Sequence, residues 1–191
     1  MSKKISTISY IMLLSTFICN LFYSTTYPYI YSVVIKSVTN TYISIDQILY
    51  CIGIILMGHI WNNYGDRIFK YYKIILIIEA IIQVLLGLFI IMTGQLKIYY
   101  ILNSIMVSFI TRNVSCGFIK IKAKANPTDI SREYFDNTNN SCYAIATLLG
   151  STLSIVLTLD FNIMIMISLF GCVVDNILSY YIYEKLSKEQ H

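Results

Sequence analysis

Apolar positions in this chain come in long blocks, not at the two-residue spacing of strands or along the narrow stripe of a soluble amphipathic helix. A helix crosses about 30 Å of hydrocarbon with roughly 20 residues, so uncharged runs of that order predict membrane spans. The run 5–35 carries no charge, and predominantly apolar runs follow at about 45–61, 74–93, 98–119, 141–159 and 162–183, which predicts six helices. Two lysines precede the first run, as in a secretory signal. Its uncharged length is about twice a signal core and no small-residue cleavage site follows, so it reads as a retained helix.

The positions of Lys and Arg orient these spans, because short cytoplasmic loops collect them. With the N-terminus inside, Lys3, Lys4, Arg67, Lys70, Lys73, Lys120, Lys122, Lys124, Arg132, Lys185 and Lys188 all fall on the cytoplasmic side. Lys36 and Lys97 fall outside, and Arg112 falls within a span. The expectation is an all-α polytopic protein with both termini cytoplasmic, in the plasma (inner) membrane of its cell.

Composition agrees with the pattern. Of 191 residues, 57% are hydrophobic and 13% charged, about half the charged complement of an average soluble domain. A soluble enzyme domain is thereby excluded. The net charge of +4 is the inside bias at an anionic lipid surface and calls for no nucleic acid. Five cysteines, at 19, 51, 116, 142 and 172, are scattered and form no C-x-x-C. His59 and His191 stand at no metal spacing, so no metal and no cofactor is expected. There is no H-E-x-x-H, no G-x-S-x-G and no paired-aspartate protease motif, and the chain is not expected to be an enzyme.

The turn at 94–97 divides the chain into two sets of three spans, 6–93 and 98–184, the second entering from the opposite side. Equal triples of opposite entry have the geometry of a 3+3 inverted repeat within one bundle, 1–191. The longest polar connection, expected as a cytoplasmic loop, is 120–140, with Pro127, Asp129, Arg132, Glu133 and Asp136.

Chemistry within the spans rests on a few residues. A charge in the bilayer costs at least about 2.5 to 3.5 kcal/mol on insertion scales, which singles out Glu79, Arg112 and Asp175; Asp46 is expected at the interface. Counting 1.5 Å per residue places Arg112 and Asp175 at one depth, where they can pair, either as a structural staple or as part of a proton relay. Tyr23, Tyr27, Tyr29 and Tyr31 surround Pro28 in the outer half of the first span. They form either an interfacial belt or, at Tyr27 and Tyr31, an aromatic wall facing a substrate cavity.

The segment Gly58-His-Ile-Trp-Asn-Asn-Tyr-Gly-Asp-Arg-Ile-Phe-Lys-Tyr-Tyr-Lys73, taken as a loop after the second span, resembles the signature loop of the major facilitator superfamily, G-x-x-x-D-R-x-G-R-R. The likeness falls on Asp66, Arg67 and Lys70; Asn62 and Phe69 stand where that pattern has glycine. A second stretch, from Pro127 through Asn139, Asn140 and Ser141 to Gly150, looks like that of the family's macrolide-efflux-like members, with Ser151 in place of a following Pro. The family's fourth-span R-x-x-x-G is matched by Arg112 and Gly117 with one residue more.

The resemblance implies the N-terminal six-helix half of a transporter. Asp66, Arg67 and Lys70 would form a cytoplasmic gating loop, and Arg112 would face the cavity. Transport would be proton-coupled efflux of a small molecule by alternating access, with a second six-helix half supplied by a homodimer or a separate chain. The other readings are a non-transporting accessory or immunity-type membrane protein and a truncated transporter remnant.

Overall fold

The computed structural model describes residues 6–157 and 159–189; Lys3, Lys4, Ile5, Thr158 and His191 lie outside the described residues. The described chain is helical throughout, with no strand: α1 (Thr7–Ile35), α2 (Asn40–Phe69), α3 (Tyr72–Thr93), α4 (Leu96–Ile105), a π-helical segment (Met106–Thr111), α5 (Arg112–Ala125), α6 (Asp129–Val156) and α7 (Phe161–Glu189). The fourth rod is α4, the π segment and α5 run together without a break, so the elements form six rods.

Four of these, α1, α2, α3 and α7, are long and apolar enough to cross a membrane. Their outward faces carry large apolar side chains that a soluble protein would bury, Ile55 being 69% and Met92 82% exposed. These helices are compatible with a membrane-embedded protein. The remaining two rods differ. The fourth is divided into pieces of 10, 6 and 14 residues, and α6 opens with a polar run from Asp129 to Asn140 before its apolar half.

Local chemistry accounts for the helix ends. Ser6 caps α1, its hydroxyl accepting from Ser9 N at 3.1 Å. Gly94 closes α3 in the left-handed conformation, φ 64°, its N–H donating to Ile90 O at 2.9 Å. The expected loop at 120–140 is instead almost wholly helical. α5 runs on to Ala125, the turn is three residues, and α6 starts at Asp129. Thr128 and Ser131 cap each other reciprocally, Pro127 stops the preceding helix, and Arg132 donates to the Asn126 and Pro127 carbonyls at 2.9 and 3.1 Å. The signature segment also proves helical, since α2 continues through Asp66 and Arg67 to Phe69, leaving Lys70 and Tyr71 as the turn.

α1 packs along both α6 and α7, and α3 along α7. α2 packs on the fourth rod and α3 crosses it; α5 also touches α7. Where helices approach most closely the residue is glycine. A Cβ on Gly150 of α6 would stand 2.7 Å from the Leu21 carbonyl of α1, and one on Gly53 of α2 would run into the Ser108 carbonyl of the π segment. Two apolar clusters result. One, at the end where α1 begins and α7 finishes, gathers Met12, Phe69, Tyr72, Leu76, Ile121, Phe135 and Ile182. The other, at the opposite end, gathers Ile30, Val34, Ile90, Tyr100, Met164 and Ile165.

Candidate functional site: a polar layer between two apolar clusters

Between the two clusters lies a layer of polar side chains contributed by α1, α3, the π segment and α7. Its centre is Glu79, 3% exposed. One helical turn on, Gln83 Nε2 donates weakly to Glu79 Oε1 at 3.4 Å. Thr111, at the end of the π segment, and Asn176 of α7 stand beside the same carboxyl. Asn176 is oriented by its amide N–H, which donates to the Cys172 carbonyl at 3.0 Å. Gln83 Oε1, Thr111 Oγ1 and Asn176 Oδ1 are all buried without a hydrogen-bond partner. Buried polar atoms are normally satisfied, so three orphans around one carboxyl stand out.

Asp175 belongs to the next part of the layer. It accepts from Ser15 Oγ of α1 at 2.8 Å, with the Cys19 thiol beside it. Asp175 and Arg112 do not pair. Arg112 lies over the ring of Tyr50 in α2, 5.0 Å from its centroid, a cation–π contact. A count of depth along two helices does not say which way a side chain points. The π segment directly before Arg112 adds to the discrepancy, because its wider turn changes the face on which later residues emerge.

The gating residues fare differently from one another. Asp66 is joined to Lys120 of α5 at 2.5 Å, its side chain almost wholly exposed. Arg67 and Lys70 point outward and are exposed. A second link between α2 and α5 is made close by, Trp61 Nε1 donating to Asn113 Oδ1 at 2.5 Å. Farther round the same end, Lys122 meets Asp136 of α6 at 3.0 Å, Ser9 Oγ donates to Asn126 Oδ1 at 3.0 Å, and Tyr183 OH donates to the Phe69 carbonyl at 2.8 Å. This end of the bundle is stapled between helices.

Tyr23, Tyr27 and Tyr31 form an i, i+4 ladder on the outside of α1, with centroids 4.5 and 5.5 Å apart and each ring 40 to 50% exposed. They are half-buried, with Tyr143 of α6 near Tyr23 and Asp46 of α2 near Tyr27. Asp46 is engaged, accepting from Tyr100 OH at 3.1 Å.

Ser15, Gln83, Thr111, Lys120 and Asn176 were not foreseen as site residues. Glu79 with Gln83, and Ser15 with Cys19, do stand at the i, i+4 spacing that marks one helix face. Thr111 owes its place to the π segment, for which no sequence signal exists. Comparison of the chain with family models, curated proteins and solved structures returns no match.

Proposed function

We propose that this chain is one half of a transporter of the major facilitator kind, moving a small molecule by alternating access, with proton coupling. The observation that carries the reading is the way the rods are joined. Exchange the first three rods with the last three, and α1–α6 becomes fourth rod–α2, α1–α7 becomes fourth rod–α3, and α3–α7 maps onto itself. The closest approaches follow the same exchange. Gly53 against Ser108 is the counterpart of Gly150 against Leu21, a glycine seated on a backbone carbonyl in both cases. The α5–α7 contact is the departure from it. Such self-similarity is the plan of transporters built from inverted repeats, and it supports six spans in a 3+3 arrangement.

In this reading α1 and the fourth rod line the cavity, and the Tyr23–Tyr27–Tyr31 ladder and Arg112 over Tyr50 offer rings and a cation to a substrate with an aromatic or anionic part. A second copy or a separate six-helix chain closes the other side. The Asp66–Lys120 pair, at the cytoplasmic end, holds α2 to α5 and is remade or broken as the halves rock. Lipids are the remaining partner.

Liposomes carrying the full chain test this. With an imposed pH gradient, wild-type protein drives flux of a small fluorescent aromatic probe, and Arg112→Ala abolishes that flux while Asp66→Asn slows it several-fold. Absence of gradient-driven flux from cross-linked dimers and from monomers alike rejects the transport reading in favour of an accessory protein.

A further inference from the structure

Glu79 is a carboxyl in the middle of an apolar bundle, and the ion pairs Lys120–Asp66, Lys122–Asp136, Arg132–Asp129 and Lys188–Glu184 all lie away from this layer. Arg112, the nearest intramembrane cation in sequence terms, is taken up by Tyr50. Side-chain oxygens of three neighbours surround the Glu79 carboxyl. Asn176 is 7% exposed; one of its two amide N–H groups donates to the Cys172 carbonyl, its side chain also meets the Glu79 carboxyl, and its Oδ1 has no hydrogen-bond partner. Gln83 Oε1 and Thr111 Oγ1 are buried and unfilled beside it. A hard, oxygen-rich, once-negative pocket selects a small singly charged cation over a transition metal, whose soft or imidazole ligands are missing. The Asp175 carboxyl is turned to α1, where Ser15 Oγ donates to it and the Cys19 thiol lies beside it.

We propose that Glu79, Gln83, Thr111 and Asn176 form a binding site for one small monovalent cation, a sodium ion or a hydronium ion, between α3, the π segment and α7. The π segment is part of the site, because it ends at Thr111 and delivers that hydroxyl to the Glu79 carboxyl. The titratable groups facing Glu79 are Asp175 and Cys172 on α7, Cys19 on α1 and Tyr72 on its own helix. α5 places Cys116 beside Tyr72. Cation binding needs no second half and no substrate, so it can fail or succeed independently of the transport reading.

The test is thermal unfolding of the purified full chain in detergent. At pH 8 and constant ionic strength, sodium chloride replaces N-methylglucamine chloride; a parallel series without sodium runs from pH 5 to pH 9. If the ion is sodium, the midpoint rises saturably with sodium and the apparent affinity falls as the pH is lowered, because protons compete for Glu79. If it is hydronium, sodium does nothing and the midpoint falls as the pH rises. Either response is abolished in Glu79→Gln. The isosteric Thr111→Val weakens it about tenfold, and that variant decides alone should Glu79→Gln not fold. Asp175→Asn keeps it. A wild-type midpoint indifferent to both sodium and pH overturns the proposal, as does a response undiminished in Thr111→Val or lost in Asp175→Asn but not in Glu79→Gln.

Discussion

The end of the bundle around Tyr72 and the layer around Glu79 lie within two helical turns of each other on α3, and they are built on opposite terms. Around Tyr72 every polar tip has somewhere to go. Its hydroxyl donates to the Val114 carbonyl at 2.8 Å, Tyr183 OH donates to the Phe69 carbonyl at 2.8 Å, and the three rings pack with centroids 5.0 to 5.9 Å apart. A glycine, Gly117, makes way for the Tyr72 ring. Around Glu79 the carboxyl is as buried, yet the oxygens of Gln83, Thr111 and Asn176 beside it are buried and have no regular hydrogen-bond partner. The first region is finished by its own chain; the second is left with acceptors open, which is how a lasting scaffold differs from a site that waits for something.

The difference is broken most severely by removing the scaffold's central ring. Tyr72→Ala leaves a cavity and orphans the hydroxyl's partner, and a core aromatic truncated to Ala costs about 3 to 5 kcal/mol; a large drop in the unfolding midpoint in detergent checks this. Next is Gly150→Val. The new Cβ would meet the Leu21 carbonyl at 2.7 Å and Thr25 N at 3.1 Å, backbone atoms that cannot step aside, and overpacking of this kind costs about 1 to 3 kcal/mol. A cysteine pair engineered across α1 and α6 should lose its cross-linking yield in that variant. Tyr183→Phe comes third. It removes one hydrogen bond and leaves a buried carbonyl, about 1 kcal/mol, whereas Thr111→Val in the open layer takes away a hydroxyl whose contact with the Glu79 carboxyl falls short of a regular hydrogen bond and should lower the sodium-free, alkaline midpoint by less. Equal losses in those two variants would erase the distinction between the regions.

How far each region could be foreseen follows from what kind of information it needs. Hydropathy and length find rods, so the helices and the turn at Gly94 were legible. The start of α6 at Asp129 was legible too, in the Pro127-Thr128-x-x-Ser131 order, but polarity there outweighed the capping signal and suggested a loop. Tyr23, Tyr27 and Tyr31 at i, i+4 announced one face. Azimuth was not legible: Arg112 and Asp175 point apart, one to Tyr50 and one to Ser15. The layer around Glu79 draws on α3, the π segment and α7, residues 79 to 176, and only folding brings them together. Lys120 appeared in the sequence as one of many inside cations, with nothing to mark it as the partner of Asp66.

That pair yields the smallest structural effect and the sharpest test of what the apolar end does. Asp66 is joined to Lys120 on the outside of the bundle, where water screens the charges and holding two mobile side chains offsets much of the attraction. Lys120 also lies over the Phe69 ring at 5.6 Å, and Lys124 at 4.8 Å, so the cation keeps a second seat when the carboxylate is gone. Asp66→Asn should therefore leave the unfolding midpoint within a degree or two of wild type at any salt concentration. If the scaffold is complete without the pair, a selective loss of flux in that variant assigns the pair to movement. A clear fall in stability would instead make Asp66 one more staple of the same end as Tyr72.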